Sequence, residues 1–176
     1  MTNFRIENEV NDSYLHQMIN LDKEVFQGID IGSFSKCKEW LSVNNDIYTM
    51  LLCKGKIIGY INFMPIKNEF YQKMKSGQAK DCDIKRKDIE EFNNASVKCL
   101  FTSIVISKEY QNTLAITYLW SGFIKKMKSL KVNISNIIMD CVTELGEKFA
   151  IKYLNAKFIC NSSTGKIYEG YIKELL

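Results

Sequence analysis

Histidine occurs once in this 176-residue sequence, at His16, and proline once, at Pro65. Arginine is nearly as scarce, with Arg5 and Arg86 the two among 24 basic residues. The six cysteines, Cys37, Cys53, Cys82, Cys99, Cys141 and Cys160, form no C-x-x-C pair. Each shortage excludes something. One histidine and dispersed cysteines exclude a zinc knuckle and a redox dithiol, so no metal is expected. Cys53, Cys99, Cys141 and Cys160 fall in apolar runs, where a reduced thiol packs as a small hydrophobe, as a reducing cytoplasm allows. The net charge of +4 is carried by lysine. Readout of phosphates and bases leans on the bidentate fork of arginine, so no nucleic-acid partner is expected. No apolar run approaches the ~18 residues of a membrane span. The opening MTNFRIENEVNDSY has no basic start, apolar core or small-residue cleavage site, so it does not read as a signal peptide. A cytoplasmic protein without a membrane partner is expected.

What is present is an ordinary core. The hydrophobic fraction of 46% fits a globular chain, and the length fits one domain over residues 1–176. Phe4 and Ile6 alternate in a short first strand, Asn3 to Glu7. Asp12 or Ser13 can cap a helix to Phe26, in which Leu15, Met18, Ile19, Asp22, Val25 and Phe26 trace a mostly apolar stripe. A second short helix starts at Ser33. Ile47–Cys53 and Lys56–Met64, separated by Lys54-Gly55, read as an antiparallel hairpin that Pro65 closes.

Asn68 to Ser76 makes a short helix. Gly77 to Asn94 is charged and poor in large apolar residues, which predicts a surface excursion with mixed-sign charge: a solvated face or a substrate lid. Val97 to Ile106 is apolar enough to be a central strand. Ile116, Leu119, Trp120, Phe123, Ile124, Met127 and Leu130 then recur at helical spacing, the strongest periodic signal in the chain. Lys125, Lys126 and Lys128 suit that helix's negative end. A strand from Ile137 to Val142, a helix capped by Thr143, and strands Lys157–Cys160 and Lys166–Ile172 complete the order β-α-α-β-β-excursion-β-α-β-α-β-β. Strand–helix–strand in the second half requires a parallel crossover, and the hairpins require antiparallel pairing. The fold class is therefore α+β, a mixed sheet with helices on its faces.

This order and several local strings resemble the GNAT family of N-acetyltransferases over nearly the whole chain. Leu100–Asn112, LFTSIVISKEYQN, is similar to the family's fourth strand and following loop. The helix from Ile116 resembles its pyrophosphate helix, and Val142–Phe158 the next strand–helix–strand segment. The resemblance implies a central sheet that splays apart, with acetyl-CoA in the cleft and an amine as acceptor. Independently of any family, an acyl-CoA pyrophosphate needs free backbone N–H groups and a positive dipole end, which a loop entering a helix supplies. Gln111, Asn112, Thr113, Leu114, Ala115 and Ile116 form the one junction offering that geometry, and Ile104, Val105 and Ile106 would present backbone groups to the pantetheine amides. The family's loop has glycines where Leu114 and Ile116 stand here, and a Cβ at Leu114 restricts positive φ.

The family's general acid, which protonates the departing CoA thiolate, falls on Tyr153 in one alignment, with Phe158 at the phenylalanine position. In a second alignment Asn155 terminates the helix, Ile151 takes the tyrosine position and the acid disappears. Tyr153 as plain helix packing also stands. No aspartate or glutamate lies on Val97–Ile106, so no general base is evident. Cys99, with no histidine to activate it, reads as core. His16 receives no role. The leading expectation is an acetyl-CoA-dependent N-acetyltransferase. The alternative is a GNAT-like domain that has lost catalysis and serves as a CoA-binding or protein-interaction module.

Overall fold

The computed structural model describes residues 3–26, 32–92 and 96–175. Seven strands form one mixed sheet in the order β1-β2-β3-β4-β5-β7-β6: β1 Phe4–Glu7, β2 Tyr48–Cys53, β3 Lys56–Ile66, β4 Ser96–Ile106, β5 Asn133–Cys141, β6 Lys157–Asn161 and β7 Lys166–Gly170. Five α-helices accompany them: α1 Asp12–Phe26, α2 Phe34–Leu41, α3 Asn68–Lys75, α4 Ala115–Ser129 and α5 Glu144–Leu154. Among the described residues the only parallel pair is β4–β5, joined through α4. The hairpins β2–β3 and β6–β7 are antiparallel, as the turn residues predict, and β7 inserts between β5 and β6.

The sheet carries a separate apolar cluster on each face. On one, α4 and α5 deliver Leu119, Trp120, Phe123, Phe149 and Ala150 against Phe63 and Phe101. The rings of Phe63 and Phe123 meet edge-on at 5.1 Å. On the other, Leu15, Met18 and Leu21 of α1, Cys37 and Trp40 of α2 and Phe70, Tyr71 and Met74 of α3 pack over Met50, Met64 and Leu100. The helical spacing of the apolar residues puts them on the buried stripe of each helix.

Several local expectations change. The cap of α1 is Asn11, whose Oδ1 accepts the Tyr14 N–H at 2.8 Å, because the residue before the helix, not one inside it, can reach the orphan donors. Pro65 does not close β3 but lies within it, opposite Cys99. Its carbonyl accepts the Glu90 N–H at 2.9 Å, so its missing donor also faces away from β4 and removes no ladder bond. The excursion does not float over solvent. Its Ala79, Ile84 and Ile89 are buried, and it folds as two short 3-10 turns, Asp81–Asp83 and Arg86–Asp88. Lys126 is buried rather than at a solvated helix end, and its Nζ donates to the carbonyls of Asp46 at 2.6 Å and Tyr48 at 2.9 Å. Strand β5 begins at Asn133, four residues before its apolar run.

Candidate active site

The parallel ladder between β4 and β5 stops at the pair Leu100–Ile138. Beyond it, Phe101 to Ile106 pair with β3 alone, and Met139 to Cys141 pair with β7 alone. The departure begins at a bulge: Thr102 is the extra residue between the pairs Phe63–Phe101 and Asn62–Ser103. A bulge bends and twists its strand, which separates the two ends. Thr102 Oγ1 donates to the Asn62 side-chain oxygen and ties the bulge to β3.

Two cavities open at this gap. The larger, of 590 Å³, lies on the α4–α5 side, and the smaller, of 320 Å³, lies under α1, α2 and the excursion. Phe26, Thr102, Ser103, Asp140 and Val142 line both. The cavities therefore meet where β4 and β5 part.

Of the residues singled out from the sequence, Ile104, Ile106, Gln111, Asn112, Thr113, Ile116 and Tyr153 line the larger cavity. The other three do not: the Val105 side chain packs in the opposite cluster, Ala115 is buried in the first turn of α4, and Leu114 is 66% exposed. The residue of the loop in left-handed conformation is Asn112, at φ 63°, while Leu114 sits at φ −73°. The missing glycine is thus no obstacle at Leu114, and asparagine tolerates the strained position. Gln111 Nε2 donates to the Ile106 carbonyl at 3.1 Å and closes the turn from β4. The Thr113 hydroxyl accepts the Ala115 N–H at 3.1 Å. Among the described residues, the N–H groups of Asn112, Leu114, Ile116 and Thr117 have no protein partner. Together with the dipole of a 15-residue helix, they make a site for an anion. Lys108, Lys148 and Lys152 add cations along the same wall.

On α5 the two alignments each supply one feature. Asn155 terminates the helix at φ 47°, as the second requires, yet Tyr153 lines the cavity and Ile151 is 56% exposed, as the first requires. The Tyr153 ring stacks on Phe149 at 4.9 Å and meets Trp120 at 5.2 Å. Two of the thiols are held protonated. Burial is the main cause that raises the Cys141 thiol to about 12, helped by Asp140 and Glu147, and burial also drives the Cys99 thiol well up.

Sequence reading missed two carboxylates. Asp22 of α1, half-buried in the smaller cavity, accepts the Tyr60 hydroxyl at 2.6 Å. Burial raises its carboxyl to about 6, and the Tyr60 hydrogen bond works weakly against that. Burial, then the Asp22 charge, holds the Tyr60 phenol well above its ordinary range. Asp140 of β5 accepts Ser162 Oγ at 2.9 Å and Thr164 Oγ1 at 3.1 Å. The signal for Asp22 was available: a carboxylate set within an apolar helical stripe is seldom there for packing.

Solved structures share this architecture. The loading GNATL domain of CurA from Lyngbya majuscula superposes with a TM-score of 0.69 at 11% identity, covering 97% of this chain and 98% of that one. An acetyltransferase of the GNAT family from Staphylococcus aureus Mu50 gives 0.62 at 12% identity over 97% and 100%. The PaiA N-acetyltransferase from Thermoplasma acidophilum, solved in complex with coenzyme A, gives 0.57 at 13% over 96% and 99%. No protein-family model and no curated protein matches the sequence. The chain has the GNAT fold. Among the described residues, no helix is long and apolar enough to cross a membrane.

Proposed function

We propose that residues 1–176 form an N-acetyltransferase domain that moves the acetyl group of acetyl-CoA directly to an amine. The observation that carries this reading is the pair of cavities meeting across the β4–β5 gap. One suits an anionic, elongated donor and the other an acceptor, with a passage between them for the reacting atoms. The pyrophosphate would rest on the free N–H groups of Asn112, Leu114, Ile116 and Thr117, with Lys108 nearby. The unpaired edge of β4 at Ile104, Val105 and Ile106 would take the pantetheine amides, much as a neighbouring strand would.

In the reaction a C–N bond forms as the thioester C–S bond breaks. The nitrogen loses a proton, and the leaving thiolate gains one from Tyr153, which recovers its proton from water. Direct transfer is favoured because the Cys141 thiol, in the larger cavity, stays protonated. The test has two arms: thermal denaturation with acetyl-CoA, and thiol release in a panel of amines. Stabilisation together with amine-dependent thiol release is expected. Absence of stabilisation at millimolar acetyl-CoA would overturn the reading, and binding without turnover on any amine would leave a CoA-binding module.

A further inference from the structure

The smaller cavity has a chemical character of its own. Its described lining carries three carboxylates, Asp22, Asp81 and Asp140, against one ammonium, Lys36. Phe26, Trp40, Tyr48 and Tyr60 supply aromatic walls. The Lys36 Nζ is already committed to the Cys82 carbonyl, and both oxygens of Asp140 are taken by hydroxyls. Asp22 is different. Its Oδ1 accepts one hydrogen bond, from Tyr60, and Tyr60 and Ser103 line the same cavity. Ser103 is one of the residues common to both cavities. Polar groups of Ser103, Tyr60 and Asp22 therefore line one cavity, from the junction of the cavities to a carboxylate on α1.

Resting on the acyl-transfer reading above, we propose that Asp22 is the catalytic base and that the acceptor is a primary alkylamine entering as its ammonium. Asp22 draws the cation into the aromatic-walled cavity. The ammonium first yields one proton to the Asp22 carboxylate, which passes it to water and so frees the nitrogen lone pair; as the amine then attacks the thioester carbon its nitrogen becomes acidic, and a second proton goes to the same carboxylate. The bond formed is C–N and the bond broken is C–S; the nitrogen gives up two protons through Asp22, the thiolate takes one from Tyr153, which water reprotonates, and one proton is released to solvent overall. Anionic acceptors are excluded by charge. An amino acid such as glutamate would bring its carboxylates into the cavity that holds Asp22 and Asp140, and like charges in a confined site repel.

Tyr60 on β3 bonds Asp22, and Tyr48 on β2 and Cys37 on α2 feel its charge; Lys36 on α2, Asp81 of the excursion and Asp140 on β5 line the same cavity. Tyr48, Tyr60 and Cys37 are all raised by burial and stay neutral near neutrality, so Asp22 is the group expected to titrate there.

The experiment measures kcat and kcat/KM against pH with n-butylamine, 1,4-diaminobutane and glutamate, alongside thermal stabilisation by acetyl-CoA. The wild type should turn over both amines, favour them over glutamate by more than about tenfold, and show an acidic limb near pH 6. Asp22→Asn should retain the acetyl-CoA stabilisation, lose the limb and lose about 10²–10⁴-fold in kcat/KM. Tyr60→Phe removes the hydrogen bond that favours the charged carboxylate and should move the limb to higher pH, a change that mere loss of packing does not produce. Wild-type rate and limb in Asp22→Asn, or a preference for glutamate, would overturn the assignment while acetyl-CoA binding stands. No turnover of either amine by a wild type that binds acetyl-CoA would also overturn it. No acetyl-CoA binding at all removes the acyl-transfer reading itself.

Discussion

Single residues carry the sharpest consequences. Tyr153→Phe deletes one hydroxyl and keeps the stack on Phe149 and Trp120. If the phenol protonates the thiolate, kcat falls by about 10²–10⁴-fold with acetyl-CoA affinity nearly unchanged. Steady-state rates and a binding titration on the same preparation check it. Asp22 also leaves a mark on stability. Its carboxyl is raised to about 6 in the folded protein by burial, against an ordinary value near 4 in the unfolded chain. Between those values the native state holds more protons than the unfolded one, so stability falls as pH rises through that window. Asp22→Asn stays neutral throughout. It should match wild type near pH 4 and exceed it above pH 7 by on the order of 2 kcal/mol, after allowance for partial exposure; denaturant melts at the two pH values measure this. Lys126 is the reverse case, a buried cation whose Nζ holds two carbonyls at the start of β2. Lys126→Met leaves those acceptors unpaired and should cost on the order of 3 kcal/mol at neutral pH.

At the scale of elements, the ends of α4 and α5 decide how the cleft is shaped. The N-terminus of α4 is left largely open because Leu114, at the cap, has no side-chain hydrogen bond to give, and the Thr113 hydroxyl takes up the Ala115 N–H alone. Since Leu114 is exposed and not left-handed, Leu114→Ala should change acetyl-CoA affinity by less than about twofold, which calorimetric titration can resolve. Helix α5 ends on Asn155 at φ 47°, with Nδ2 donating to the Tyr171 hydroxyl at 2.5 Å. A β-branched side chain cannot hold that conformation cheaply, so Asn155→Val should destabilise by about 1–3 kcal/mol, read by chemical denaturation. The sequence carried this terminator openly, because asparagine is one of the few residues that visits the left-handed region. It did not carry the register of Tyr153, because alternating residues near a helix end differ in exposure only once the helix is packed.

For the whole molecule, the donor cleft makes a quantitative claim. A ligand bound only by the folded state adds about 2.7 kcal/mol at a hundredfold excess over its Kd, which for a chain of this length raises the melting temperature by about 5–10 °C. The element order, the helical stripes and the mixed sheet were legible from periodicity and turn residues, since hydrophobic spacing is imposed locally by 3.6- and 2-residue repeats. The junction from Gln111 to Ile116 was legible too, as the place where a buried strand runs into the most regular helix. The Thr102 bulge, the parting of β4 from β5 and the buried course of Lys126 were not, because each depends on partners 38 to 80 residues away in the chain. Nor was the meeting of Asp22, Tyr60 and Ser103. Three residues on three elements, 22, 60 and 103 in the chain, share no local pattern, and only the closing of α1 over the gap in the sheet turns an aspartate in an apolar stripe into a half-buried acid beside a phenol.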